Sequence, residues 1–116
     1  MTRKYADKKY SIHVDIRKTK DRVEPIWAWV GYDEPNYTYM KDGRKLLSEL
    51  SEASSVPVFV RTHNLLTSGD GTPALKWGST NAYTEDERGN QVYDWKIVDR
   101  IFDTLVESGM KALVEI

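Results

Sequence analysis

Arg61 and His63 stand two residues apart at the end of an apolar run, "VPVFVRTHN", residues 56 to 64. Arginine offers a permanent planar cation matched to carboxylates, and histidine offers a ring nitrogen that can donate or accept near neutral pH. On an extended backbone, residues two apart point to the same side, so the pair would face a common ligand. In that reading Arg61 orients and ionises an active-site carboxylate while His63 hydrogen-bonds a substrate hydroxyl. The plainer reading is a buried ion pair, with Glu115 on the adjacent strand as the candidate partner, beside a satisfied structural histidine, and the two can hold together. Metal ligation is not expected, because the other histidine, His13, lies in a distant N-terminal segment and no ligand spacing appears.

Further polar and aromatic candidates gather at "GYDEP", residues 31 to 35. Asp33 and Glu34 are adjacent, so they point apart and do not form a catalytic carboxylate pair; turn formation before Pro35 competes with sugar-hydroxyl binding. Tyr32 and Trp77, in loops at strand ends, could stack on a sugar ring, whereas Trp27 and Trp29 are expected to pack in the core. The glycine-rich "SGDGTP" lacks the Lys and Ser/Thr of a phosphate loop.

The elements that must position these residues follow from periodicity. "SIHVDIR", Ser11 to Arg17, alternates apolar and polar side chains as a half-buried strand does. "IWAWV" closed by Gly31, then "VPVFVR", then "KALVEI" running to Ile116, read as three short, continuously apolar strands. Between the first two, Tyr39, Gly43, Leu46, Leu47 and Leu50 repeat at helical spacing from Asn36 or Thr38 to near Ala53. A second helix carries Ile97, Val98, Ile101, Phe102 and Leu105, with Asp94 as its N-cap and Gly109 as its stop. Before it lies a long connection from Thr62, in which "TNAYTEDERGNQVYDW" reads as a β-hairpin around Arg88, Gly89 and Asn90.

Strands alternating with helices predict parallel βαβ units, whose ligands bind beyond the carboxyl ends of the strands. "GYDEP", "RTHN" and Glu115 should therefore share one rim. Since a closed (β/α)8 barrel needs about 250 residues, these 116 residues are expected to be the N-terminal part of a longer α/β domain, the alternative being a complete small domain, with residues 1–24 an added strand and connection. Open strand edges would then invite self-association.

Composition sets the outer limits. The chain is 40% hydrophobic and 30% charged, with 17 basic against 18 acidic residues and a net charge of −1, so no electrostatic pull toward nucleic acid or a membrane surface is expected. With no cysteine, disulfides, thiolate metal sites and a cysteine nucleophile are excluded. The basic start "MTRKYADKKY" is followed by no apolar export segment, which points to the cytoplasm if Met1 is native and leaves an extracellular location open if a signal was removed.

From about Pro25 onward the chain resembles glycoside hydrolase family 39, the β-xylosidases and α-L-iduronidases. The resemblance is carried by "GYDEPNYTYMKDGRKLLSEL", by "VPVFVRTHNLL", and by "DGTPALKWGSTNAYTEDERGNQVYDWKIVDRIFDTLVESGMKALVEI". Within these, R-x-H-x-L after a strand, followed by Y-D-W-x-x-V-D-x-I-x-D into a helix, is the more specific part.

That resemblance implies that residues 25–116 are about three βα units, the first part of a (β/α)8 barrel hydrolysing terminal sugars with retention, through two carboxylates about 5 to 5.5 Å apart. The family's acid/base glutamate follows the fourth strand in an Asn-Glu-Pro motif and its nucleophile follows the seventh, so neither is expected among these residues and the chain alone should be inactive. By the same resemblance His63 would bind a hydroxyl of the terminal sugar and Arg61 would brace the carboxylates. Asp33 and Glu34 would lie in a further sugar-contacting loop. The expected partner is a xylo-oligosaccharide or other glycoside, with no cofactor. Against this stand two alternatives: a noncatalytic carbohydrate-binding or protein-interaction module, and a barrel fragment that assembles with a complementary chain.

Overall fold

The structure is a computed structural model that describes residues 9–69 and 79–115. Its centre is a three-stranded parallel sheet in the order β1-β2-β5, built from Trp29–Tyr32, Phe59–Thr62 and Lys111–Val114. Helix α1 (Lys41–Glu52) joins β1 to β2, and α2 (Lys96–Glu107) leads into β5. The register aligns Trp29 with Phe59 and Lys111, and Gly31 with Arg61 and Leu113.

Alternation along β2 divides its side chains between two environments. Val58, Val60 and Thr62 point toward the helices, and Val60 packs in one core with Leu47 of α1 and Val98, Ile101 and Leu105 of α2. Phe59 and Arg61 point the other way, onto a face that no helix covers among the described residues. There Trp29 stacks on Phe59 at 4.3 Å and Lys111 lies 5.5 Å from the Phe59 ring centroid.

Helix α2 starts and stops for local reasons. Asp94 Oδ1 accepts the Lys96 N–H at 3.0 Å, so the expected capping side chain is in place although the helix is bounded one residue later. At the other end Gly109 has φ +72°, the Met110 N–H reaches the Leu105 carbonyl and the Gly109 N–H reaches that of Val106. This pairing satisfies the last carbonyls and turns the chain directly into β5. Helix α1 begins at Lys41, after a 3-10 turn at Pro35–Tyr37.

The hairpin forms as expected: β3 (Tyr83–Glu85) pairs antiparallel with β4 (Gln91–Tyr93) around Gly89, whose φ is +77°. Its turn is held by Asp86, which accepts the Arg88 and Asn90 N–H groups and the Asn90 amide.

Several expectations are corrected. Ser11–Arg17 forms no strand: Ile12, Val14 and Ile16 are all strongly exposed, and Asp15 instead caps a local turn by accepting from Arg17. Alternation makes a strand only where another strand offers a ladder, and none lies beside this segment among the described residues. Trp27 and Trp29 are each 54% exposed and so are not core residues. The first strand begins later than expected, after a 3-10 turn at Ile26–Ala28, and continues through Gly31 to Tyr32. Likewise β2 starts at Phe59, two residues past Pro57, and Ile116 lies outside the described residues.

Candidate active-site rim

At the carboxyl end of the sheet a cation bridges two carboxylates from the flanking strands. Arg61 Nη1 donates to Glu115 Oε2 at 3.0 Å and Nη2 to Asp33 Oδ1 at 3.4 Å. His63 joins from the same side of β2, its Nδ1 3.2 Å from the same Glu115 oxygen. That approach is near enough for a hydrogen bond but misaligned, so the buried Nδ1 has no hydrogen-bond partner among the described residues.

A missing side chain makes this cluster possible. A Cβ at Gly31 would stand 3.2 Å from Arg61 Nε and 3.4 Å from Arg61 Cβ. Glycine at that register position lets the arginine lie across β1 and reach Asp33. Glu115 is placed from the other side, where its backbone N–H donates to the Thr62 carbonyl at 3.2 Å. Asn64, with φ +52°, then turns the chain away from the sheet in a conformation asparagine tolerates better than most residues. The polar end of "RTHN" thus has two ion-binding side chains, one buried threonine and one turn residue.

The cluster is wet: the Arg61, Asp33 and Glu115 side chains are 45%, 69% and 43% exposed, so Arg61 and Glu115 do not make the buried ion pair expected, and the ion pairs hold geometry more than they stabilise the fold. Chemically it is a fixed cation between two acceptor carboxylates and an imidazole, an arrangement suited to binding hydroxyl groups of a neutral ligand. Among the described residues no group of three or more His, Asp or Glu side chains could hold a metal ion.

The remaining candidates divide. Asp33 belongs to the Arg61 cluster, but Tyr32 and Glu34 point to the other side of β1, where they line a separate cavity of about 210 Å³ with Tyr37, Thr38 and Leu46. Burial pushes the Tyr32 hydroxyl above its ordinary pKa, a shift partly offset by its hydrogen bond with Thr38. Trp77 lies outside the described residues. Sequence reasoning passed over Gly31, although a glycine inside a strand is itself a sign of close approach. It also passed over Asn36, wholly buried, whose amide donates to the Tyr39 hydroxyl and the Ser79 carbonyl, each at 2.8 Å. The bond to Ser79 ties the segment after β1 to the long connection after β2.

No family model matches the chain, and no curated protein matches it. Solved structures do share its fold. A monomeric β-xylosidase from Caulobacter crescentus CB15 aligns with 87% of this chain at 20% identity and a TM-score of 0.60. A family GH39 β-xylosidase from Caulobacter crescentus aligns with 76% of it at 21% identity and a TM-score of 0.55. A GH39 enzyme from Xanthomonas axonopodis pv. citri aligns with 76% at 22% identity and the same TM-score. The chain spans 18%, 17% and 15% of those proteins' lengths. Its α/β architecture with a parallel sheet therefore matches part of the GH39 fold.

Proposed function

We propose that these residues form the first part of the (β/α)8 barrel of a retaining glycosidase acting on terminal β-xylosidic or related bonds. The observation that carries this reading is the convergence of Arg61, His63, Asp33 and Glu115 at the carboxyl end of the sheet. That is the end where such barrels bind substrate. In this reading the open face bearing Trp29, Phe59 and Arg61 is the inside of the barrel, and further strands pair with the edges β1 and β5. Arg61 braces carboxylates, His63 binds a hydroxyl of the terminal sugar, and the two catalytic glutamates come from later strands.

The 116-residue chain should accordingly bind sugar at its rim without cleaving it. Incubation with an aryl β-xyloside is expected to release no aglycone, while xylose titration should shift the His63 imidazole resonances. Hydrolysis that disappears in Glu115→Gln would place a catalytic carboxylate inside this chain and overturn the assignment. Within a complete barrel, Arg61→Ala and His63→Ala should each lower kcat/KM by about 1.5–3 kcal/mol, the loss of one hydrogen bond involving a charged group.

A further inference from the structure

The hairpin β3–β4 presents a second surface with binding chemistry, separate from the rim. Register pairs Tyr83 with Tyr93 and Glu85 with Gln91, so strand alternation puts these four side chains on one face, with Trp95 two residues beyond Tyr93. Three rings stand there in the open: Tyr83 is 39% exposed, Tyr93 57% and Trp95 48%. Tyr83 and Tyr93 meet edge to face at 5.6 Å, and Tyr93 and Trp95 are within 12° of parallel at 6.4 Å. Rings exposed side by side in this way offer apolar faces on which a ligand can stack.

We propose that this face is a binding platform for a neutral pyranose chain, a site additional to the terminal-sugar rim. Its choice of xylan-type sugar rests on the glycosidase reading above. Pyranose rings present C–H faces that pack on aromatic rings and hydroxyl edges that need acceptors and donors, and this face supplies both. The Tyr83 hydroxyl donates to Glu85 Oε1 at 2.8 Å and the Tyr93 hydroxyl to Gln91 Oε1 at 3.3 Å, so the phenols are oriented and flanked by a carboxylate and an amide.

Charge selects among ligands that stack. The face itself carries Glu85, with Asp86, Glu87 and Arg88 following it and Asp94 between Tyr93 and Trp95; Lys96 is turned to Asp94 at 3.3 Å, so four acidic side chains stand against two basic ones. Single-stranded nucleic acid also stacks on exposed rings but needs a basic track for its phosphates, which this acidic surface opposes. An uncharged polyol meets no such repulsion.

The platform is also held before any ligand arrives. Asp86 fixes the turn through three accepted bonds, Ser68 Oγ donates to the Tyr83 carbonyl at 3.1 Å, and the Asp94 N–H donates to the carbonyl of buried Ala82 at 3.2 Å. Little ordering is left to oppose binding. Because the hairpin belongs to the connection leaving the carboxyl end of β2, it issues from the same end of the sheet as Arg61 and His63.

The test is titration of the 116-residue chain with xylohexaose, read at the aromatic NMR resonances of Tyr83, Tyr93 and Trp95. Saturable shifts are expected, with binding about tenfold weaker in Tyr93→Ala and in Trp95→Ala, and retained in Trp95→Phe, which keeps a ring. Circular dichroism of each variant checks that the hairpin still forms. No shift at these rings, full-strength binding by both alanine variants, or equal displacement by polyuridylate would overturn the proposal. So would ring shifts that depend on protein concentration without sugar, since a second copy would then be the occupant. Shifts confined to His63 would sink the platform and leave the glycosidase reading intact; shifts confined to the hairpin would support the platform and count against that reading.

Discussion

Two faces of one small sheet are built from residues a single position apart, yet they are made for different tasks. Val60 and Thr62 of β2, and Val58 just before it, are almost wholly buried under α1 and α2, while Phe59, Arg61 and His63 between and beyond them face outward with charge and ring surface. The covered face gains its stability from close-packed apolar area, which is intolerant of lost volume. The open face holds its geometry through exposed ion pairs, which contribute little stability but fix where charges sit. Stability and binding chemistry can thus be perturbed separately by substitutions on adjacent residues.

The largest test of that separation is a cavity on the covered side. Leu105 is 1% exposed, at the centre of the core. Leu105→Ala should cost about 2–5 kcal/mol, a large part of the about 5–15 kcal/mol that holds a small domain folded. Leu113→Ala, on the open face where the side chain is 46% exposed, should cost about 1 kcal/mol or less. Urea midpoints of the two variants measure the difference, and equal losses would show that the open face is as tightly packed as the other.

A subtler strain on the covered side comes from Gly43. Exchanging a helix glycine for alanine ordinarily stabilises by about 1 kcal/mol. Here the added Cβ would run into the Tyr37 carbonyl oxygen, because α1 lies directly against the segment that precedes it. Gly43→Ala should therefore destabilise, by about 1–3 kcal/mol as overpacking does. A thermal midpoint that rises instead would mean that α1 can slide away from Tyr37.

How much of this arrangement could be read from the sequence depends on whether a residue's role is local. The apolar stripe of α2, its Gly109 stop and the Arg88-Gly89-Asn90 turn were legible because each depends on neighbours along the chain. The pairing of Arg61 with Glu115 was legible too, since consecutive parallel strands put their carboxyl ends together. The strand expected over Ser11–Arg17 was not there because alternation describes a side-chain pattern and says nothing of a partner. Trp29 read as core because an all-apolar run conceals which of its two faces is covered. Asn36 and Gly31 went unnoticed because their functions reside in residues 43 and 30 positions away, Ser79 and Arg61.

On the open face, Gly31→Val should move the charges while barely moving stability. Its side chain would occupy the space through which Arg61 reaches Asp33, so the guanidinium should lose that carboxylate and keep Glu115. Arg61→Ala, which removes both exposed pairs, should change folding stability by about 0–1 kcal/mol. In both variants xylose-induced shifts at His63 should weaken while the urea midpoint holds. A large drop in the midpoint would show that the rim is structural and erase the contrast between the faces.

The smallest effect lies off the sheet, in the acid response of the hairpin. Asp86 is held below the ordinary aspartate pKa, first by the Asn90 side-chain amide and then by the Asn90 and Arg88 backbone N–H groups. A carboxyl whose folded pKa is depressed contributes stability that is present above its unfolded pKa and is lost as pH falls through the folded one. The hairpin should therefore stay closed at neutral and mildly acidic pH and open only at pH values below the ordinary aspartate range. Asp94, lowered chiefly by the Lys96 backbone N–H, acts in the same direction at the start of α2. The Tyr83–Tyr93 contact reports the opening through near-ultraviolet dichroism, and Asp86→Ala should abolish that acid step while the α2 signal persists. If the helix signal fell in step with the aromatic one, the hairpin would be a cooperative part of the covered face, and the division of labour would run between sheet faces alone.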